Sequence, residues 1–140
     1  MTPPNGSNTR EFTWPGPDTS RVPYWVYSDP DIHAREQRLL FQGPTWNFLC
    51  LDVEIPNPGD YKTTMVGDAP IVVVRDADGV VNAMVNRCAH KGALVCYKPR
   101  GNVSELTCIY HNWVYDLGGK LTGVAFQRGV RGKGGMEDDF

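Results

Sequence analysis

From Trp46 onward the chain reads as short apolar runs broken by turn residues. The runs cover 46–53, 61–66, 70–75, 80–85, 104–108, 113–116 and 120–124, and each is predicted to be a β-strand. Asp76-Ala77-Asp78-Gly79 and Leu117-Gly118-Gly119-Lys120 separate neighbouring runs and predict hairpin turns. Strand–turn–strand at this spacing predicts a mainly β fold, a small antiparallel β sandwich or barrel, with the sandwich preferred. Upstream the pattern is helical. Asp29 suits an N-cap and Pro30 the first helical position. Ile32 and Leu39 share a face, and Gly43-Pro44 ends the helix. Residues 1–23 read as an irregular lead-in, with no h-region over Met1–Arg10. The chain therefore divides into an N-terminal extension with one helix (1–43), a β domain (44–126) and a flexible tail (127–140) leading to a further domain.

Composition narrows the function. The chain has 140 residues, 41% of them hydrophobic and 21% charged, with net charge −2. Such a balance argues against a nucleic-acid or membrane partner. No apolar run approaches the ~20 residues that span a bilayer, and a cytoplasmic protein is expected. A β domain this small is marginal on its core alone and gains from a metal staple. Cys50, Cys88, Cys96 and Cys108 are the cysteines, and metal binding is a better expectation for them than two disulfides.

The candidate chemistry lies in Cys88-Ala89-His90 and Cys108-Ile109-Tyr110-His111, a C-x-H…C-x-x-H pattern. Both pairs follow predicted strands, so two neighbouring loops can clamp one inorganic unit. A four-thiolate [2Fe–2S] cluster carries excess negative charge, which opposes reduction. Two neutral imidazoles on one iron remove two of those charges, so an added electron is better tolerated and localises on the His-ligated iron. Cys88 and Cys108 would bind one iron and His90 and His111 the other, with the histidines at the exposed tip. A structural zinc site is the alternative, but its ligands come as C-x₂₋₄-C and H-x₃₋₅-H. Gly92 lets the backbone approach the cluster, or simply makes a turn. Lys91 and nearby amides offset negative charge, or Lys91 is only solvated.

C-A-H-K-G and C-I-Y-H-N-W-V-Y resemble the Rieske motifs of aromatic-ring-hydroxylating oxygenases, large (alpha) subunit. The chain departs from C-x-H-R-G and C-P-Y-H-x-W at Lys91 and Ile109, neither of them a ligand. SRVPYWVYSDPDIHAREQRLLF, EIPNPGDYK and GVAFQRGVRGKGGM resemble the salicylate hydroxylase and anthranilate dioxygenase branch. The resemblance implies electron transfer from a ferredoxin or reductase, arriving at the exposed histidines, through the Rieske [2Fe–2S] cluster, to a mononuclear Fe(II) in a neighbouring subunit. It also implies a homo-oligomer with a small beta subunit and hydroxylation of an aromatic carboxylate. Two histidines and a carboxylate would hold the second iron, yet only His33 is left over, so that iron belongs outside this chain. A stand-alone Rieske ferredoxin is the alternative. Compared with respiratory-type Rieske proteins, Ala93 and Tyr110 stand where a cysteine pair would be, and Trp113 where a serine would be. Fewer hydrogen bonds to sulfur then imply a potential at the low end of roughly −150 to +300 mV.

Cys50 and Cys96 are expected as buried free thiols, with a Cys50–Cys96 disulfide as the minor option. Tyr110 and Tyr115 are candidate hydrogen-bond partners for a cluster cysteine, Tyr115 at the spacing of the family's tyrosine, and packing alone would also explain both. Trp14, Trp25 and Trp46 are expected in core or extension packing. Arg128, Arg131 and Lys133 would belong to an unstructured basic tail or dock a partner.

Overall fold

The computed structural model describes residues 13–136. The expected reading of Met1–Arg10 lies outside them. Two antiparallel sheets face each other. Strands β1 (Asp60–Val66), β2 (Ala69–Arg75), β3 (Val81–Val85) and β4 (Arg100–Asn102) make one sheet in the order β3-β2-β1-β4. Strands β5 (Leu106–Thr107), β6 (Val114–Tyr115) and β7 (Leu121–Gly123) make the other, in sequence order. The mainly β, antiparallel two-sheet architecture matches the sequence expectation.

The core sits between the sheets. Tyr61, Val72 and Val74 from the larger sheet meet Leu106 and Leu117 from the smaller, with Cys96 among them. Burying each such side chain contributes about 1.5–3 kcal/mol. Central strand β2 is covered on both faces, so Val73 is buried as well as its neighbours. This is why 72–74 reads as a continuous apolar run. β4 was not anticipated, because Arg100-Gly101-Asn102 is short and polar. Gly101 pairs with Tyr61, whose ring occupies the space a Cβ would need: the nearest ring atom would lie 2.7 Å away.

Three further expectations change. The one helix is instead two short ones, α1 (Trp25–Ser28) and α2 (Pro30–Glu36), followed by a π turn over Gln37–Phe41. Asp29 caps α2 as expected, accepting from the backbone N–H of Asp31 and Ile32. The π turn begins at Gln37, whose side chain accepts from the Asp68 N–H at 3.0 Å across the β1–β2 turn. Residues 46–53 form no strand. They are as apolar as one but pair with no described strand, and only a 3₁₀ turn forms, over Asp52–Glu54. Trp46 consequently packs against nothing and is fully exposed, whereas Trp14 and Trp25 meet edge to face with ring centroids 6.0 Å apart. Finally, residues 127–136, expected to be a flexible tail, fold back. The Met136 N–H donates to the Gln127 carbonyl at 2.8 Å. The structure places no described helix long and apolar enough to cross a membrane.

Candidate metal centre

Two loops with the same backbone geometry bring the four predicted side chains together. In the first, the Cys88 N–H donates to the Ala93 carbonyl at 2.8 Å, and the Gly92 N–H donates back to the Cys88 carbonyl at 2.8 Å. In the second, the Cys108 N–H donates to the Trp113 carbonyl at 2.8 Å, and the Asn112 N–H to the Cys108 carbonyl at 2.9 Å. Each loop thus closes between its cysteine and the residues four and five positions on. The fourth position is left-handed in both: φ is +70° at Gly92 and +55° at Asn112. Glycine and asparagine are the residues that take that conformation most readily. Among protein atoms a Cβ on Gly92 would meet nothing within 4 Å. Gly92 is therefore explained by its turn, rather than by close approach.

The loops' bases are held differently. The second loop joins the paired strands β5 and β6. The first follows β3 and has no such ladder. There Asn86, 3% exposed, substitutes a side-chain amide for one. Its Oδ1 accepts from the backbone N–H of Val95 and Cys96, and its Nδ2 donates to the Cys96 carbonyl at 2.8 Å. Sequence reasoning missed Asn86. The available signal was an amide side chain at a strand end directly before the motif.

The side chains segregate by element. Cys88 and Cys108 are buried with Trp113, and Ala93, Tyr115, Val124 and Met136 pack against that cluster. The two thiols lie within hydrogen-bonding range of each other. The two imidazoles lie side by side, with ring centroids 4.6 Å apart. His90 is stacked on Trp113 at 4.8 Å and an interplanar angle of 8°. His111 is exposed, with the Tyr110 ring against it at 3.9 Å.

The electrostatics favour metal-ligand protonation states. Cys88, Cys96 and Cys108 are all buried and free. Burial alone pushes the Cys96 thiol up to about 11. Burial raises Cys88 too, but hydrogen bonds from Tyr115, from the backbone N–H of His90 and Lys91 and from Cys108 outweigh it and hold Cys88 below the usual thiol value. Tyr115 Oη lies 3.2 Å from Cys88 Sγ and accepts from the Ala89 N–H at 3.0 Å. Its hydroxyl is pushed up to about 12, by burial first and by its bond to Cys88 next, so it stays a donor. Burial, then the charges of His111 and Lys91, hold His90 below the usual imidazole value. Neutral imidazole is the form that ligates metal.

These donors fit a binuclear cluster. His90 Nδ1 is buried and has no hydrogen-bond partner. A buried lone pair left unmatched is costly unless something else accepts it. Among the described residues no three His, Cys, Asp or Glu side chains group as a single-ion site requires. Two thiols beside two imidazoles could supply a pair for each of two irons. Cys50, expected to be buried, is free but only half-buried and lies apart, near Glu54, Lys62, Asp52 and Arg75, whereas Cys96 is buried in the inter-sheet core as expected. His33 is on α2, 3.3 Å from Asp68, far from this chemistry in the sequence and fold.

Comparison with known proteins agrees with this geometry. The family model for the Rieske [2Fe-2S] domain matches residues 45–132. The anthranilate 1,2-dioxygenase large subunit of Burkholderia cepacia is 56% identical over 127 residues, covering 91% of this chain and 30% of that protein. The salicylate 5-hydroxylase large oxygenase component of a Ralstonia species is 47% identical over 131 residues, 91% of this chain and 31% of that protein. The solved naphthalene 1,2-dioxygenase of a Rhodococcus species superposes with a TM-score of 0.73 at 34% identity, covering 85% of this chain and 27% of that one. The chain thus spans under a third of the length of these relatives.

Proposed function

The chain belongs to the Rieske [2Fe-2S] domain family, and on that premise we propose that Cys88, His90, Cys108 and His111 hold its cluster and serve electron transfer within an aromatic-ring-hydroxylating oxygenase. The supporting observation is the pairing itself: two buried thiols, two adjacent imidazoles, and a buried His90 Nδ1 with no hydrogen-bond partner. When bound, the cluster supplies a one-electron couple, with the added electron on the His-ligated iron.

The protein's own residues set the terms of that couple. Tyr115 and the amides of His90 and Lys91 donate to Cys88 sulfur and so offset negative charge there. Trp113 stacks on His90 and fixes its plane, while His111 reaches solvent. Trp113 also occupies the place of a hydroxyl donor, which supports a potential near the low end of roughly −150 to +300 mV. The donor is a ferredoxin or reductase. The acceptor is a mononuclear iron held by a part of the protein outside this chain, in a homo-oligomer with a small beta subunit. Anthranilate and salicylate in the relatives' names support an aromatic carboxylate as substrate. A stand-alone ferredoxin is disfavoured, because the oxygenase relatives align over 91% of the chain, helical lead-in included.

Iron and acid-labile sulfide analysis of the purified chain tests this, together with its visible spectrum. Two irons and two sulfides per chain, with a brown colour bleached by dithionite, are expected. Stoichiometric zinc in a colourless protein would refute the proposal.

A further inference from the structure

The net charge of −2 conceals a segregation. Residues 79–136, which carry both ligand loops, hold eight Lys and Arg but only Glu105 and Asp116 as acids. The chain turns acidic again at Glu137, beyond the described residues. Three of the eight cations, Arg128, Arg131 and Lys133, are exposed on one small hairpin.

That hairpin is a built element. Val130 and Lys133 exchange backbone hydrogen bonds at 3.1 and 3.2 Å. Arg131 and Gly132 form its turn, with φ of +55° and +76°, as a two-residue type I′ connection requires. Its stem is crossed by glycines: a Cβ on Gly129 would lie 2.6 Å from the Gly135 N, and one on Gly135 would lie 2.8 Å from the Gly129 N. Met136 then anchors the stem against Cys88, Cys108 and Trp113. The hairpin therefore reaches the centre from its cysteine side with three cations, whereas the histidine side carries Lys91 next to the exposed Ile109 and Tyr110.

Arg131 is informative. Asn or Gly is the usual residue at its position, and a left-handed arginine costs about 1–2 kcal/mol. Strain held at a defined place is a reason to look for function. We infer that the 127–136 hairpin is the docking element for an acidic electron-donor protein, separate from the histidine side that faces the acceptor. This rests on the electron-transfer reading above. Charge suits the diffusing partner, because complementary fields steer encounter and raise on-rates. An acceptor in the same assembly needs no steering. In each encounter one electron leaves the donor and one is gained at the Cys88/His90/Cys108/His111 centre.

The test uses the cluster-loaded protein and a reduced plant-type [2Fe–2S] ferredoxin, an acidic carrier, as probe. In stopped flow, the triple variant Arg128→Glu/Arg131→Glu/Lys133→Glu is expected to slow second-order reduction more than tenfold and to flatten its salt dependence. The control Arg21→Glu/Arg35→Glu/Arg38→Glu, with the same charge change on the lead-in, is expected to slow it less than threefold. Photoreduced deazaflavin, a small donor, should reduce all three proteins alike. Arg131→Gly should slow the ferredoxin reaction severalfold while its melting temperature holds or rises. Carbodiimide should cross-link Lys133 to the ferredoxin. Equal slowing by both triple variants, no slowing by the hairpin variant, or no cross-link within 127–136 overturns the docking site. Failure to bind or reduce any cluster overturns the electron-transfer reading instead.

Discussion

The two cysteine–histidine loops share a backbone and differ in almost everything around it. Both close from cysteine to the fourth and fifth residues on, with a left-handed residue at the fourth. Yet the second loop inherits its closure from the β5–β6 ladder, while the first depends on one buried side chain, Asn86. Likewise His90 lies flat on Trp113, whereas His111 stands in solvent beside Tyr110. The lesson is that one loop geometry can be fixed by strand pairing or by a side-chain amide that imitates it. Loops fixed in such different ways respond differently when cut.

The largest expected effect abolishes the comparison. Cys108→Ser or Cys88→Ser should eliminate visible absorbance and bound iron, because either removes half of one iron's protein ligands. Cys96→Ser should leave the spectrum intact, since Cys96 belongs to the inter-sheet core. Next, Asn86→Ala should cost about 2–4 kcal/mol in chemical denaturation, because it strands buried N–H groups of Val95 and Cys96. The second loop is closed by the β5–β6 ladder instead.

The left-handed positions give a smaller, signed contrast. Gly92→Val should destabilise by about 1–2 kcal/mol, whereas Asn112→Gly should fall within about 0.5 kcal/mol of the parent. Tyr115→Phe acts on the first loop alone. It removes the donor to Cys88 sulfur and the acceptor for Ala89. A hydrogen bond of about 0.5–1.5 kcal/mol, if it strengthens on reduction, corresponds to a potential lowered by a few tens of mV. Protein-film voltammetry reads this directly.

A pH contrast separates burial from ligation. Cys96 is raised to about 11 by burial, so the folded chain keeps a proton that the unfolded chain releases above about pH 8.5. Stability from this group is complete below that pH and is lost as pH rises toward 11. Thermal melts should fall over that window, and Cys96→Ala should flatten the slope while lowering stability throughout.

Much of this was legible in the sequence, for definable reasons. The ligand pairs, the Asp29 cap and strands β1 to β3 are local signals: spacing, cap chemistry and apolar runs. What was missed depends on partners distant along the chain. Residues 46–53 are apolar like a strand, but an apolar run does not supply a neighbour to pair with. Arg100-Gly101-Asn102 has no strand composition, yet pairs because Gly101 leaves room for the Tyr61 ring. The hairpin at 127–136 looked disordered from its glycines, which in fact let its stem cross and set Met136 on the cysteines.

Pulsed EPR of the dithionite-reduced, cluster-loaded chain addresses the ligand assignment most directly. Mixed ligation predicts one unpaired electron coupled strongly to two imidazole nitrogens, both lost in His90→Ala/His111→Ala. A reduced cluster without strong nitrogen coupling, or with coupling that survives that double substitution, would contradict the assignment.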